Sequence, residues 1–95
     1  MKFIWDNDKA LKNLKKHSVS FEKATTVFTD PLSLTIPDML HSYDEERFII
    51  IGQSIENKMI VVFHTDLGDT IIIISARLAT KRERKNYESK SNWLI

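Results

Sequence analysis

With 95 residues the chain can build one core but not a second independent one, and its lack of cysteine excludes disulfides, thiolate nucleophiles and cysteine-based zinc sites. A composition of 42% hydrophobic and 28% charged residues belongs to a globular domain, its apolar runs are too short to span a bilayer, and an N-terminus without an apolar leader points to the cytoplasm. The net charge of +1 is unevenly spread: six lysines face three acids in residues 1–23, Arg47 and Lys58 face eight acids in 24–69, and six basic residues face two acids in 70–95.

Phe3-Ile4-Trp5 reads as a short extended start. Asp6 then offers an N-cap oxygen to a helix beginning near Asn7, with Ala10, Leu11 and Leu14 as its apolar stripe. Lys9, Lys12 and Lys16 recur at spacings of three and four and share one face, and His17 closes the last turn. Those lysines either attract phosphates or simply face solvent. Ser20 caps a second helix carrying Phe21, Ala24 and Phe28, which Asp30-Pro31 must end. The turn between the two helices suggests a DNA-reading helix pair, but Glu22, Lys23, Thr25 and Thr26 are a poor set for base edges.

Ser33 to Ile36 alternates like a strand stopped by Pro37, and an acidic loop runs from Asp38 to Glu46. Strand patterns follow at Arg47–Ser54, Met59–Thr65 and Thr70–Ala76, with connectors short enough for an antiparallel meander. The fold class expected is therefore α+β: an antiparallel sheet of three to four strands flanked by two N-terminal helices and one C-terminal helix. Because these strands are apolar on both faces, and the N-terminal helices cover one, the other calls for the C-terminal helix or a protein partner. Thr80-Lys81-Arg82-Glu83 is a capping box that starts the C-terminal helix, with Arg84 and Tyr87 three apart on one face.

Arg77, at the end of an apolar strand, presents a fork matched to a phosphate, or it pairs with Glu83 and ties helix to sheet. Metal-free cleavage of RNA needs a base for the 2′-hydroxyl, an acid for the leaving 5′-oxygen, and cations for the charged phosphorane. His64 is a candidate acid or base, Glu46 and His17 are alternative bases, and Tyr87 can donate a proton or stack on a base. The carboxylate of Glu46 can hold Arg47 in one orientation. His41, Asp44 and Glu45 match no established metal-ligand spacing, and there is no glycine-rich phosphate loop, so neither metal nor cofactor is expected.

The order of these motifs resembles the BrnT toxin family. The resemblance runs through Trp5-Asp6 with Lys9, Asn13-Leu14-Lys15-Lys16-His17, Val19 to Ala24, Val27-Phe28 with Asp30-Pro31, Glu45-Glu46-Arg47-Phe48, Ile51 to Ser54, Val61-Val62, and Ile74-Ser75-Ala76-Arg77 with Ala79-Thr80, Glu83-Arg84 and Tyr87. It implies a RelE-like domain over residues 1–90 and a cytoplasmic bacterial endoribonuclease that needs no metal and blocks translation. Its neutralising partner would be a BrnA-like antitoxin, and it would meet promoter DNA only within that complex. The resemblance carries over Lys9, His17, Glu46, Arg47, Arg77, Arg84 and Tyr87; with His64, taken from its place at a strand end, the candidates for catalysis are Arg77, Glu46, Arg47, His64, Arg84 and Tyr87. For RNA binding the candidates are Lys9 and His17 together with the neighbouring basic residues Lys12, Lys16, Lys81 and Arg82. The chain departs from the family pattern at Ser18, where glycine is usual, and at Ile72 and Leu78, where arginines are common. Those departures keep open a second reading, a non-enzymatic subunit that docks an antitoxin and contributes to promoter binding. Residues 91–95 form an apolar tail beyond the family's helix, and Trp93 is expected to pack on the body.

Overall fold

The computed structural model describes residues 1–41 and 45–89. In chain order they form β1 (Lys2–Ile4), α1 (Asn7–His17), α2 (Phe21–Thr25), a 3₁₀ turn (Thr26–Thr29), β2 (Leu34–Pro37), β3 (Arg47–Gln53), β4 (Met59–Leu67), β5 (Thr70–Leu78) and α3 (Lys81–Ser89). None of these helices is long and apolar enough to cross a membrane.

The sheet is mixed and five-stranded, in the order β1-β5-β4-β3-β2, which corrects the expected antiparallel sheet of three to four strands. β2 to β5 form the anticipated meander, but Phe3 and Ile4 pair in parallel with Ile71 and Ile72, so the extended start is an edge strand. A three-residue strand carries almost no periodic signal, and its partner lies nearly seventy residues away, so only the closed fold creates it. Pro37 belongs to β2 instead of ending before it. Asp38 donates its N–H to the Arg47 carbonyl, so the missing N–H of Pro37 falls on the free edge, where nothing needs it.

α1 starts where Asp6 accepts from the amides of Asp8 at 2.8 Å and Lys9 at 3.2 Å. It ends at Ser18, which takes the left-handed conformation (φ +58°) that glycine adopts without steric cost. Its inward residues are Ala10, Asn13 and His17, while Leu11 and Leu14, expected in the buried stripe, are exposed. The second helix tightens to 3₁₀ after Thr25. There the hydroxyls of Thr25, Thr26 and Thr29 each donate 2.7 Å bonds to carbonyls three residues back, competing with regular helical bonding.

One face of the sheet packs Ile50, Ile60, Val62, Ile71, Ile73 and Ala76 against Val19, Phe21, Ala24 and Val27 from the helices. Burying a side chain such as Phe21, which is fully enclosed, contributes roughly 1.5–3 kcal/mol. The other face has a smaller cluster of Ile51, Val61 and Tyr87, with Leu34, Ile49, Met59, Phe63 and Ala79 against it. α3 thus caps one end of that face.

Gly52 lets the two layers meet closely, since a Cβ there would lie 2.8 Å from Val27 Cγ1 and 3.2 Å from Asp30 Oδ2. On the outer side of β5, β1 pairs only as far as Ile72. Asn13 of α1 then stands in for a strand: its Nδ2 donates to the Ala76 carbonyl at 2.8 Å, and its Oδ1 accepts from the Ala76 amide at 3.1 Å. Ile74 is the extra residue of a bulge in β5, because Phe63 pairs with Ser75 while His64 pairs with Ile73.

Candidate functional site

Strand alternation sends Phe63 and Val61 of β4, Ser75 and Arg77 of β5, and Arg47 and Ile49 of β3 to the face opposite α1 and α2. Arg77 lies over the Phe63 ring, its Cζ 5.7 Å from the ring centroid. It donates through both terminal nitrogens to Glu83, at 2.8 and 3.0 Å, and more weakly to the Leu78 carbonyl at 3.4 Å. This is the pairing that the sequence left open as the alternative to a phosphate fork. Glu83 also accepts from the Thr80 amide at 2.8 Å, and Thr80 Oγ1 accepts from the Glu83 amide at 3.2 Å, so the capping box is formed. The hydrogen bond from Arg77 holds the Glu83 carboxyl below its ordinary range, and the same bond raises the guanidinium. Two bonds to one carboxylate set the orientation of the fork and leave its remaining N–H groups for a ligand.

Glu46 and Arg47 stand at the far end of β3. The Glu46 carboxylate is exposed, and its backbone carbonyl accepts from Thr65 Oγ1 at 2.7 Å, which anchors the strand start. Arg47 Nε lies 3.9 Å from Glu45 Oε1. Of the three residues weighed as metal ligands, His41 contacts Asp38 at 3.0 Å and Asp44 lies outside the described residues. No group of potential metal ligands occurs among the described residues.

His64 is on the helix-covered face, not beside Arg77. Its ring is buried between Phe28, edge-on at 5.0 Å, and Phe48, stacked at 5.7 Å. Nδ1 lies 2.7 Å from Asp66 Oδ1, and Nε2 has no hydrogen-bond partner among the described residues. Burial lowers the pKa and outweighs the Asp66 contact, which raises it, so the ring is neutral with its proton on Nδ1.

Tyr87 is buried too, and its hydroxyl donates to Asp30 Oδ2 at 2.6 Å. Burial pushes the phenol up to about 12, with Asp30 adding to the shift. The same Asp30 oxygen accepts from the Gln53 amide at 2.8 Å. Tyr87 thus fastens α3 to the end of the 3₁₀ turn and to β3.

The remaining basic residues fall into two groups. Lys9, Lys12, Lys16 and His17 line a hollow of about 300 Å³ with Asn13, Ile74 and Ser75, at the β5 bulge. Lys81, Arg82 and Arg84 are exposed on α3, and Arg84 faces a hollow of about 400 Å³ beside Lys58, Met59 and Leu78.

The model of the ribonuclease toxin BrnT, of type II toxin-antitoxin systems, matches residues 5–83. The chain belongs to the BrnT family. Among solved structures, the 1.1 Å crystal structure of the Brucella abortus ribonuclease toxin BrnT superposes on this BrnT-family chain with a TM-score of 0.66 and 25% identity, covering 85% of this chain and 99% of that one. No curated protein matches. Membership makes the chain a toxin-family protein of a type II system, a family described as ribonucleases, for which an antitoxin is the implied partner.

In this BrnT-family fold the predicted residues do not form one cluster. Arg77 and Arg47 share the open face at different levels, since Arg77 pairs with Val61 and Arg47 with Thr65, four residues along β4. Three participants were not singled out from the sequence: Phe63, Ser75 and Asn13. Phe63 has the same parity along β4 as Val61 and Thr65, which would have placed it on one face with them. Asn13, three residues after Ala10 and four before His17, marked the true inward stripe of α1 as a polar residue at a core position. The 91–95 tail lies outside the described residues.

Proposed function

We propose that the chain is a metal-independent endoribonuclease toxin acting in the bacterial cytoplasm, with the open sheet face as its active surface. The observation that carries this reading is the placement of Arg77, Arg47 and Phe63 on one sheet face that α3 covers only at one end, with basic residues of α1 and α3 at its margins. Arg77, oriented by Glu83, stabilises negative charge that develops on phosphorus. Glu46 is the base, because its carboxylate is exposed, whereas the Tyr87 hydroxyl is held by Asp30 and His64 is buried on the face opposite Arg77. In the reaction the 2′-oxygen loses its proton to Glu46 and bonds to phosphorus. The P–O5′ bond breaks, and the departing 5′-oxygen takes up a proton from water.

Partner and regulation follow the same face. A BrnA-like antitoxin neutralises the toxin by covering the apolar positions that α3 leaves open, including Ile4, which is 42% exposed, together with Ile49 and Ile72. Promoter DNA is then bound by the complex, with the antitoxin supplying most contacts.

The test is cleavage of a labelled RNA by the purified chain, with and without EDTA, beside Arg77→Ala. Cleavage should survive EDTA and fall by about 100-fold or more in the variant, the usual cost of losing one transition-state charge partner. A second reading, a non-enzymatic antitoxin-docking subunit, draws on the occupied fork of Arg77 and on Ile72 and Leu78. It predicts no cleavage and no growth arrest on induction.

A further inference from the structure

Phe63 is the one aromatic residue that the described strands direct to the open face; Phe3 and Phe48 point to the helix side. It is half-buried, and its cross-strand neighbours are Ile49 on β3 and Ser75 on β5. On the β5 side Ser75 is small, and the side chain that lies over the ring from that strand is Arg77. Ser75 also lines the lysine hollow of α1, and β1 pairs with β5 only as far as Ile72, so no strand stands between the ring and that hollow. A line from Lys9, Lys12, Lys16 and His17 across Ser75 to Phe63 therefore crosses the edge of the sheet at the bulge, with the Arg77 guanidinium over the ring at its end.

We infer that Phe63 is a stacking platform for one base of a single-stranded RNA, which crosses the β5 edge with its phosphates on the α1 lysines. The physical reason is the order of chemistries along that line. Cations outside suit a phosphate backbone, and a half-buried ring with a guanidinium over it offers flat surfaces to an unstacked base. On its other side the ring packs, with Ile49, against the cluster of Ile51, Val61 and Tyr87, which fixes its position on the face. The inference rests on the ribonuclease reading and adds to it a residue that selects single-stranded substrate and sets which nucleotide lies beside Arg77.

The experiment measures binding of the full chain to a short 2′-O-methyl RNA, and to versions with an abasic residue at each position in turn. Wild type should bind the intact strand about tenfold more tightly than the strand abasic at one particular position, the scale of one base–aromatic stack. Phe63→Leu should lose that preference while keeping its affinity for the abasic strand, and Phe63→Tyr should retain the preference. A leucine variant that keeps the preference, or that weakens both strands equally, overturns the platform. Should that variant fail to fold, a 2-aminopurine placed along the strand decides with wild type alone: quenching at one position supports the platform and quenching at none overturns it. If wild type cleaves RNA but shows no base preference, only the platform fails, and the open face is left to a protein partner. If wild type neither binds nor cleaves, the ribonuclease reading fails with it.

Discussion

His64 illustrates how a residue's chemistry follows from which side of a strand it occupies. At a strand end in a chain with three histidines it is a reasonable acid or base. One alternation step places it under the helices, wedged between Phe28 and Phe48, with Nε2 enclosed. Burial holds its pKa below 6.5, so the folded chain keeps the ring neutral while the unfolded chain protonates it. Stability from this residue is full above pH 6.5 and falls as pH drops from there towards the lower folded-state value. His64→Phe, which keeps a ring between its neighbours, should therefore lose less stability than wild type between pH 7.5 and pH 5.5. Urea midpoints at the two pH values check this, and equal losses in the two proteins would refute it. Tyr87 makes the same point: read as a residue that can donate a proton or stack on a base, it has its hydroxyl tied to Asp30 in a buried position.

At the level of elements, the decisive device is the seam between α1 and β5. β5 outruns its parallel partner after Ile72, and an open edge there would leave the Ala76 amide and carbonyl unpaired inside the fold. Asn13 satisfies both, and its amide also donates to the Val19 carbonyl at 3.0 Å, fixing the turn into α2. Asn13→Ala removes three bonds and strands buried backbone groups, so it should destabilise the fold by about 3 kcal/mol. Asn13→Asp, which keeps the acceptor but loses the donors, should be destabilised as well. Chemical denaturation measures both, and a change under 1 kcal/mol for the alanine variant would show that the seam is held by other contacts. α3 is anchored differently, by the Thr80–Glu83 box at its start and Tyr87 near its end.

At the scale of the whole molecule, charge and apolar surface are segregated. The lysines of α1 and the basic residues of α3 lie on two sides of the sheet's open face. RNA held by those lysines should bind with an affinity that falls steeply with salt. Lys12→Gln should reduce the slope of log affinity against log salt by about 0.7, the value for one single-strand phosphate, with the thermal midpoint unchanged because Lys12 is exposed. An unaltered slope would take Lys12 out of the RNA path.

Much of this was legible in the sequence. Asp6, Ser20 and the Thr80–Glu83 box mark helix starts because capping is a contact within three residues, and the meander from β2 to β5 shows in alternation and short connectors. Family membership was legible as well, since motif order is a property of the chain itself. Tertiary structure alone decided the rest. β1 is a strand only because residues 70–72 lie beside it, and α1 turns Asn13 inward because β5 has an unpaired edge there. Arg77 is bound by Glu83, and Phe63 and His64, adjacent in sequence, occupy opposite faces with opposite chemistry. Local patterns record bonds made within a turn or a strand; the face a side chain shares, and the partners it meets there, are set by packing between segments far apart in the chain.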